Sequence, residues 1–508
     1  MVKQMSSQSG RPWGYLISLL FNSLCLVIIG KQGQLLKNSR NSDNLQGLGW
    51  SRKAAEEAEA ASQYSCSGHG YVFVDTFHWN QDGTPTCECN ECYMGLNCSQ
   101  IDPDCVSNAD SGDPGFLEPF WIANAEVGAT VIPAWYRMSY IINDVQKSVV
   151  SPELEKQIHD IHALVGNAVT EGRYIVLKIG SMHLINAVVN SLVEILLHLS
   201  PRHSLNPAQV VAASPFYGGY GVQTELFDSG DNIWTGDGRA WTERTESLNS
   251  TTFIEFVTSP NNPDTLLDEA VLEGKNVKTV YDHAYYWPHF TAISRPADED
   301  IMLFTLSKLT GHAGSRLGWA IIKDYDVYQK IYKYVATSTF GVSHDTQLRA
   351  TTLLKAVISG YRHIRSRTEA IDSESKQMIF HYAYSVMRRR WERLERILNM
   401  SDRFSLQNVG PLYCNFFRKV TGPSPAYAWV KCEKEEEEED CAAVLEKAGI
   451  IGRGAEAFGA DKRYVRLSLL RRDDAFAVLE RRLQSLICYN NHCEDIFSSN
   501  QTDSWAQF

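Results

Sequence analysis

Positive charge is in short supply in this chain of 508 residues, which has 48 lysines and arginines against 60 aspartates and glutamates and a formal net charge of −12. The basic residues form no stripe, so we expect no nucleic-acid partner. Three of the 14 histidines, His283, His289 and His312, lack metal-ligand spacing, and we predict structural roles for them and no metal site. The chain also has no internal repeat.

Hydrophobic residues make up 44% of the chain and charged residues 21%, which is typical of a globular protein with a large core. A chain of this length can form two or three domains. One acid-rich run, 433–440, supplies much of the negative charge. Clustered like charges cannot pack, so we predict a solvated loop there.

Six of the twelve cysteines lie in one short segment, at Cys66, Cys87, Cys89, Cys92, Cys98 and Cys105. So short a segment has too little core to fold alone, and disulfides would stabilise it. The spacing does not choose among the possible connectivities. Zinc is the alternative, because three of these cysteines have a metal-like spacing. Cys432 and Cys441 flank the acidic run and are expected to bridge.

An apolar stretch at 13–30 predicts either a signal peptide or a short membrane anchor. Four glycosylation sequons follow, at Asn97, Asn249, Asn399 and Asn500. Together with disulfides, they place the chain after residue 30 in the secretory pathway: the endoplasmic reticulum lumen, a vacuole or the extracellular space.

The stretch TLSKLTGHAGSRLGWA (305–320) carries the strongest functional signal. An apolar run at 301–304 predicts a buried strand, and Lys308 lies close after it. Lysine is costly to bury, and one reason to place it here is a Schiff base with a cofactor aldehyde. Ser307 and Arg316 would then hold a phosphate. The alternative is a surface lysine at a strand end.

Three more apolar strands are predicted, at 252–257, 277–281 and 174–177. Helical patterns such as 184–199 separate strands, which indicates a parallel sheet. Ligands of such sheets bind beyond the carboxyl ends of the strands. The residues expected at that edge are Asn262, Asp282, Tyr285, Lys308 and the Gly180-Ser181 turn.

Seven segments read SGDPGFLEPFW (111–121), WYRMSY (135–140), VGNAVTEGRYIV (165–176), TSPNNPD (258–264), DHAYYWP (282–288), SKLTGHAGSRLGWA (307–320) and VRLSLL (465–470). They resemble motifs of the alliinase and tryptophan-aminotransferase-related family of plants, from about residue 66 to about residue 486. Members are pyridoxal-phosphate enzymes of the aspartate-aminotransferase fold, fold type I. The resemblance implies an α/β protein with a mostly parallel sheet, a small C-terminal α+β domain and an N-terminal disulfide-rich module like epidermal growth factor.

The resemblance also assigns roles. Lys308 would bind pyridoxal 5′-phosphate and then move the substrate's alpha proton, Asp282 would pair with the pyridine nitrogen, and Arg466 would clamp the substrate carboxylate. Further cofactor contacts would come from Tyr140, Gly180, Ser181, Tyr217, Asn262, Tyr285, Ser307 and Arg316. Tyr140 would reach the phosphate of the partner subunit, which implies a homodimer. Ser111 and Gly112 would contact the substrate. The implied disulfides are Cys66–Cys87, Cys89–Cys98 and Cys92–Cys105.

Two places depart from the family pattern. The phosphate turn usually has the form GxGSTQ, but here Lys178, Ile179 and Met182 replace a glycine and hydroxyl residues. Side chains at glycine positions can crowd a phosphate site, so Lys178 would either block the site or compensate as a cation. The second departure is Thr265, which stands where the family often has glycine.

The resemblance favours an aminotransferase that acts on an aromatic L-amino acid, with tryptophan converted to indole-3-pyruvate and a 2-oxo acid as acceptor. The first alternative is alliinase-type β-elimination, which cleaves the carbon–sulfur bond of S-alkyl-L-cysteine sulfoxides. The second is a secreted, non-catalytic homologue.

The expected organisation is a signal peptide or anchor (1–30), a linker (31–62), the cysteine-rich module (63–105), an N-terminal segment of the small domain (106–150), the cofactor-binding domain (151–340), connecting helices with the C-terminal domain (341–496) and a tail (497–508).

Overall fold

The computed structural model describes residues 49–75, 85–143, 148–199, 206–243, 251–362, 378–434 and 440–488. The chain divides into two units, residues 1–63 and 64–508. The first unit contributes helix α1 (Gly49–Ser62). The predicted linker is therefore helical over its described part, because alanine and glutamate, both strong helix formers, fill it. The predicted signal or anchor at 13–30 lies outside the described residues.

The cysteine-rich module consists of two small antiparallel pairs, β1 (Gly70–Tyr71) with β2 (Glu88–Cys89), and β3 (Tyr93–Met94) with β4 (Gln100–Ile101). Such short strands hold no core of their own. The structure joins Cys66 to Cys87, Cys89 to Cys98 and Cys92 to Cys105, the pairing that the resemblance implies. All six sulfurs are bridged, so none of them is left as a zinc ligand. A fourth disulfide joins Cys432 to Cys441.

The segment after the module leads into a helix of 14 residues. Strand β5 (Ser107–Asn108) pairs in parallel with residues 450–451. Helices α2 (Glu118–Ala123), α3 (Ala125–Gly128) and α4 (Pro152–Val165) follow. Helix α4 begins where the Ser151 hydroxyl accepts a hydrogen bond from the Leu154 amide, and it ends at Gly166 in the left-handed region, with φ 72°.

A seven-stranded sheet forms the centre of the large domain. Its strands are β6 (Tyr174–Lys178), β7 (Ala208–Ala212), β8 (Asn232–Asp237), β9 (Phe253–Thr258), β10 (Val277–Asp282), β11 (Ile301–Thr305) and β12 (Gly318–Ile322). Their order is β6-β12-β11-β10-β9-β7-β8, and only β12 runs antiparallel to its neighbours. The associated helices are α5 (Gly180–Leu199), α6 (Gly219–Glu225), α7 (Arg239–Thr242), α8 (Leu306–Leu309), α9 (Tyr325–Thr339) and α10 (His344–Arg362).

Alternate residues of the buried strands pack into two separate cores, one on each face of the sheet. In β6, Ile175 and Leu177 join the core that includes α4 and α10, while Val176 joins the core that includes α5 and α9. Every residue of β9, β11 and β12 is buried. This explains why β11 and β12 read as continuous apolar runs, and it confirms the mostly parallel α/β fold.

The C-terminal domain is smaller. Its elements are α11 (Ile379–Leu398), β13 (Phe404–Leu406), β14 (Leu412–Cys414), β15 (Lys419–Thr421), β16 (Tyr427–Cys432), α12 (Cys441–Lys447), β17 (Ile450–Ile451), β18 (Arg453–Gly454), β19 (Tyr464–Ser468) and α13 (Asp473–Cys488). An antiparallel sheet has the order β13-β16-β19-β18. None of the helices in the described ranges combines the length and apolar character that crossing a bilayer requires.

Candidate active site

Most of the predicted site residues meet in a cleft at the carboxyl edge of the large sheet. One wall comes from the ends of β9, β10 and β11, and the other comes from the C-terminal domain and the segment around Gly112. The lining residues are Gly112, Asp113, Ser181, Met182, Tyr217, Thr258, Asn262, Asp282, Ala284, Tyr285, Thr305, Ser307, Lys308, Ala313, Arg316, Tyr427, Arg453 and Arg466.

Lys308 lies in the one-turn helix α8, just after β11. The Thr305 side chain accepts a hydrogen bond from the Ser307 amide and so begins this helix. The Lys308 amine donates to the carbonyl oxygen of Gly112 and lies 5.6 Å from the centre of the Tyr285 ring. A Cβ at position 112 would lie 2.7 Å from the Tyr427 hydroxyl, so only glycine lets the backbone come this close.

Asp282 is the last residue of β10 and is only 3% exposed. Its carboxylate accepts hydrogen bonds from the Ala284 amide at 3.1 Å and from the Tyr220 hydroxyl at 3.3 Å. Burial raises the pKa of this carboxyl, while the Ala284 amide, among other groups, opposes the rise. A cationic partner in the cleft would stabilise the charged form, as the protonated pyridine nitrogen of a cofactor would.

Two tyrosine hydroxyls, those of Tyr285 and Tyr427, lie 2.5 Å apart above the lysine. Burial raises the pKa of Tyr285 well above its ordinary value, and the neighbouring Tyr427 adds to the rise. Burial acts in the same direction on Tyr427, but the positive charges of Lys308 and Arg466 outweigh it and lower the pKa of Tyr427. One hydroxyl of the pair therefore donates to the other beside two positive charges.

A second group of residues is suited to an anion. Gly180, at the start of the 20-residue helix α5, has φ 73°, and a Cβ there would lie 2.5 Å from an Arg316 guanidinium nitrogen. Gly318 is equally constrained, since its Cβ would lie 2.8 Å from the Ser181 amide nitrogen. Helix N-termini and guanidinium groups both attract phosphate. Gly180, Ser181 and Arg316 are thus brought together as predicted, with Ser307 in the same lining.

Lys178 points away from this group. Its amine donates to the hydroxyls of Ser338 at 2.6 Å and Thr339 at 3.2 Å, at the end of α9, and lies 5.6 Å from the Tyr334 ring centre. Burial lowers the pKa of this amine. The lysine therefore neither blocks the cleft nor lines it, contrary to both outcomes predicted from the altered turn. Met182 does line the cleft, and its sulfur accepts a hydrogen bond from the Tyr217 hydroxyl at 3.2 Å.

Arg466 lies in β19 and is 2% exposed, with its side chain in the cleft. It donates to the Asn262 side-chain oxygen at 2.9 Å and to the Asp110 carbonyl oxygen at 2.6 Å. The guanidinium lies over the Tyr427 ring, 4.2 Å from its centre. Its Nε is buried and has no hydrogen-bond partner among the described residues. This N–H group is therefore still able to donate a hydrogen bond to a carboxylate.

Three predicted site residues are not part of the cleft lining: Gly180, which lies beside Arg316, and also Tyr140 and Ser111. Tyr140 is 75% exposed, and its ring packs 5.2 Å from that of Phe340. The Ser111 hydroxyl donates to the Asp113 carboxylate at 2.9 Å. Of the sequons, Asn97 and Asn399 are exposed, whereas Asn249 and Asn500 lie outside the described residues.

The three histidines have structural partners. His283 contacts the Ser259 carbonyl at 2.7 Å, His289 the Lys308 carbonyl at 3.1 Å, and His312 the Thr310 carbonyl at 3.1 Å. Burial lowers the pKa of His289 to about 3 and that of His312 to about 4, so both are neutral near pH 7. Within the described ranges, no group of histidine, cysteine, aspartate and glutamate could hold a metal ion.

The structure adds site residues that the sequence did not reveal: Tyr220, Tyr427, Asp110 and Arg453. Tyr220 stacks on Phe256, with 4.5 Å between ring centres, and its hydroxyl lies 2.5 Å from that of Thr258. Its only sequence signal is its position three residues after Tyr217. Tyr427 and Arg453 line the cleft, and Asp110 contacts its arginines, through pairings between distant segments that a local pattern cannot show.

These residues fit pyridoxal phosphate. An amine, Lys308, is available for the aldehyde, and a buried carboxylate, Asp282, is available for the ring nitrogen. Gly318 leaves no room for a Cβ beside the Ser181 amide, and Gly180, with its left-handed φ, lies close against Arg316; together they form a cradle for the phosphate. Arg466, with its unpartnered Nε, is available for a substrate carboxylate.

Known proteins agree with this assignment. A family model described as "Allinase" matches residues 107–487, and one described as "Alliinase EGF-like domain" matches residues 49–105. Tryptophan aminotransferase-related protein 4 of Arabidopsis thaliana is 44% identical over 451 residues, which cover 89% of this chain and 92% of the relative. An alliin lyase of Allium cepa var. aggregatum is 42% identical over 446 residues, which cover 86% and 94%.

Solved structures give the same fold. An aminotransferase from Staphylococcus aureus superposes with a TM-score of 0.52 at 18% identity, over 76% of this chain and 94% of the other. The chain therefore belongs to the alliinase family and is a pyridoxal-phosphate-dependent enzyme with the aminotransferase fold.

Proposed function

We propose that this enzyme transfers the amino group of an aromatic L-amino acid, tryptophan by preference, to a 2-oxo acid. The observation that carries the proposal is the convergence of Lys308 and Arg466 on one cleft. A single short segment touches both, since the Gly112 carbonyl accepts from the lysine and the Asp110 carbonyl accepts from the arginine. A 2-amino acid held by its carboxylate at Arg466 would thus present its Cα to the lysine.

Each residue has a physical task. When bound, pyridoxal phosphate supplies an aldehyde for the substrate amine and a ring that withdraws electrons from Cα. Lys308 takes the proton from Cα and can return it at another atom. The buried Asp282 side chain can only accept hydrogen bonds when it is charged. It would therefore keep a proton on the pyridine nitrogen of the cofactor. Tyr285 and Tyr427 close one side of the cleft and exclude water from the lysine.

Aromatic rings support the choice of substrate. Tyr217, Tyr285 and Tyr427 all line the cleft, and each is polar at one end and apolar along the ring. A flat indole or phenyl side chain can stack or pack edge-on against such rings. The relatives named for tryptophan aminotransferase, at 44% and 46% identity, point in the same direction.

Carbon–sulfur lysis is the second candidate, and the alliin lyase relatives at 42% identity favour it. It begins with the same proton removal by Lys308, so the site residues are common to both reactions. The reactions differ afterwards, because elimination expels a sulfur group from Cβ and needs no oxo-acid acceptor. The altered phosphate turn no longer favours a non-catalytic homologue, because Lys178 lies outside the cleft lining.

The deciding experiment compares two incubations of the cofactor-loaded protein. Tryptophan with pyruvate should give indole-3-pyruvate and alanine, and S-alkyl-L-cysteine sulfoxide alone should give no pyruvate or ammonia. Lys308→Ala should be inactive in both incubations and serves as the control for contaminating enzymes. Release of pyruvate and ammonia from the sulfoxide, without transamination of tryptophan, would replace the proposal with the lyase.

We further propose a homodimer in which Tyr140 completes the neighbour's phosphate site. Tyr140 belongs to an exposed apolar patch with Trp135, Met138 and Phe340, whose exposed fractions are 75%, 66%, 85% and 61% in that order. Three of these side chains are close in the chain and Phe340 packs against Tyr140, and apolar side chains this exposed are typical of an interaction surface.

Mixed dimers test this arrangement. Tyr140→Phe and Lys308→Ala are each expected to lower activity as pure proteins. Dimers that combine one chain of each variant should regain activity, because the intact lysine site would receive the intact tyrosine from the other chain. Mass measurement confirms that mixed dimers have formed. If their activity does not exceed the summed activities of the two pure variants, Tyr140 does not serve the neighbouring site.

The disulfide-rich module indicates the secretory pathway, where such bonds are stable. We propose that residues 13–30 direct the chain into that pathway as a signal peptide or anchor. Glycan occupancy at Asn97 and Asn399, read by enzymatic deglycosylation and mass spectrometry, tests the proposal. An unmodified protein whose module cysteines are reduced in its native cells would contradict it.

A further inference from the structure

Two arginines lie opposite each other on neighbouring strands beside the cleft. Arg453 in β18 is the cross-strand partner of Arg466 in β19, and both line the cleft. Like charges in directly opposed positions of an antiparallel pair repel each other. The pair therefore needs an anion, and the structure shows which group supplies it.

The Asp110 carboxylate holds both arginines. It accepts two hydrogen bonds from Arg453, at 2.6 Å to Nε and 2.9 Å to Nη2, and one of its oxygens lies 3.4 Å from Arg466 Nη2. The hydrogen bond from Arg453, helped by the charges of both arginines, lowers the pKa of Asp110, although burial acts in the opposite direction. The carboxylate is therefore charged at neutral pH.

The charge balance leaves room for one further carboxylate. Two guanidinium groups face one carboxylate, and the remaining positive charge suits the carboxylate shared by all 2-amino and 2-oxo acids. Arg453 already uses its Nε and Nη2 in the two-pronged pair with Asp110, so a second carboxylate would meet only the remaining Nη hydrogens, next to a negative charge. Asp113, which also lines the cleft, has the same sign as Asp110 and adds to the repulsion of a second carboxylate.

We propose that Asp110 and Arg453 determine substrate charge, so that the cleft accepts amino acids and oxo acids with one carboxylate and rejects those with a second carboxylate in the side chain. The inference rests on the proposed function, since it concerns the amino donor and the acceptor of that same site. It implies that the acceptor resembles pyruvate and not a dicarboxylate such as 2-oxoglutarate.

L-Glutamine and L-glutamate are the probes, because they have nearly the same shape and differ by one charge. Their dissociation constants are measured with the cofactor-loaded protein from the change in cofactor absorbance, which requires no turnover. We expect the wild type to bind glutamine about tenfold more tightly than glutamate, the scale of one partly exposed charge interaction. Asp110→Asn should bring the two constants within about twofold by strengthening glutamate binding. The double variant Asp110→Asn with Arg453→Gln should lose this gain in affinity for glutamate.

Glu118→Gln is the matched control. Glu118 forms the same two-pronged pair with Arg472, at 2.6 and 2.7 Å and with similar exposure, but Arg472, unlike Arg453, does not line the cleft. This variant should keep the wild-type preference for glutamine. Equal binding of both amino acids by the wild type, or an unchanged ratio in Asp110→Asn, would overturn the inference while leaving the proposed function intact. If neither glutamine nor tryptophan perturbs the wild-type absorbance, the proposed function fails as well.

Discussion

Thr265 occupies a backbone conformation that favours glycine, and replacing it should stabilise the protein. Its φ is 66°, in the left-handed region, which is unfavourable for a residue with a Cβ by about 1–2 kcal/mol. Its buried Oγ1 has no hydrogen-bond partner among the described residues, which adds about 1 kcal/mol. The greater freedom of glycine in the unfolded chain offsets about 0.5–1 kcal/mol. Thr265→Gly should therefore raise the free energy of unfolding by about 1–2 kcal/mol.

Urea unfolding of the two proteins at equal cofactor saturation measures this difference as a shift in midpoint at constant slope. Thr310→Gly makes the same change where φ is −117° and where the hydroxyl donates to the Leu306 carbonyl at 3.2 Å, so it should destabilise. A Thr265→Gly protein that is no more stable than the wild type would refute the argument that this turn is strained.

Two further predictions concern buried cationic or basic groups. Lys178→Met should keep the dissociation constant of pyridoxal phosphate within about twofold of the wild-type value. The reason is that the amine donates hydrogen bonds to Ser338 and Thr339 and not to the phosphate cradle. A tenfold loss of affinity in equilibrium dialysis would contradict this placement of the lysine. Burial lowers the pKa of His162 and His289 to about 4 and about 3. The unfolded chain therefore takes up more protons below about pH 6.5, and each histidine should reduce the free energy of unfolding by about 1.4 kcal/mol at pH 5.5. Urea unfolding at pH 7.5 and 5.5 should show that His289→Gln loses less free energy of unfolding on acidification than the wild type does. An equal loss in the two proteins would contradict this prediction.

The sequence predicts the sheet side of the cleft because the parallel strands there end in chemically distinct residues. Lys308 follows the continuous apolar run at 301–304 and Asp282 ends the strand pattern that begins at Val277, and carboxyl ends of parallel strands meet at one edge whatever the details of packing. The Gly180-Ser181 turn is predictable for the same reason. These positions depend on strand direction and order, which the alternation of strands and helices already indicates.

The opposite wall depends on contacts between distant parts of the chain. Asp110 reaches Arg453 across 343 residues, and Tyr285 reaches Tyr427 across 142. No local pattern encodes such pairings. The direction of Lys178 was also unpredictable, because it depends on hydroxyls that α9 brings to the strand end. The role proposed for Tyr140 would require a second chain.

Reductive trapping of the cofactor tests the central claim most directly. Borohydride treatment of the cofactor-loaded protein should fix one pyridoxyl phosphate per chain, and peptide mass spectrometry should place it on Lys308, in the cleft that Asp282 and Arg466 share. Lys308→Ala should acquire no fixed cofactor under the same conditions. A label on any other lysine, or a wild type that retains none after loading, would contradict the assignment of this cleft as the active site.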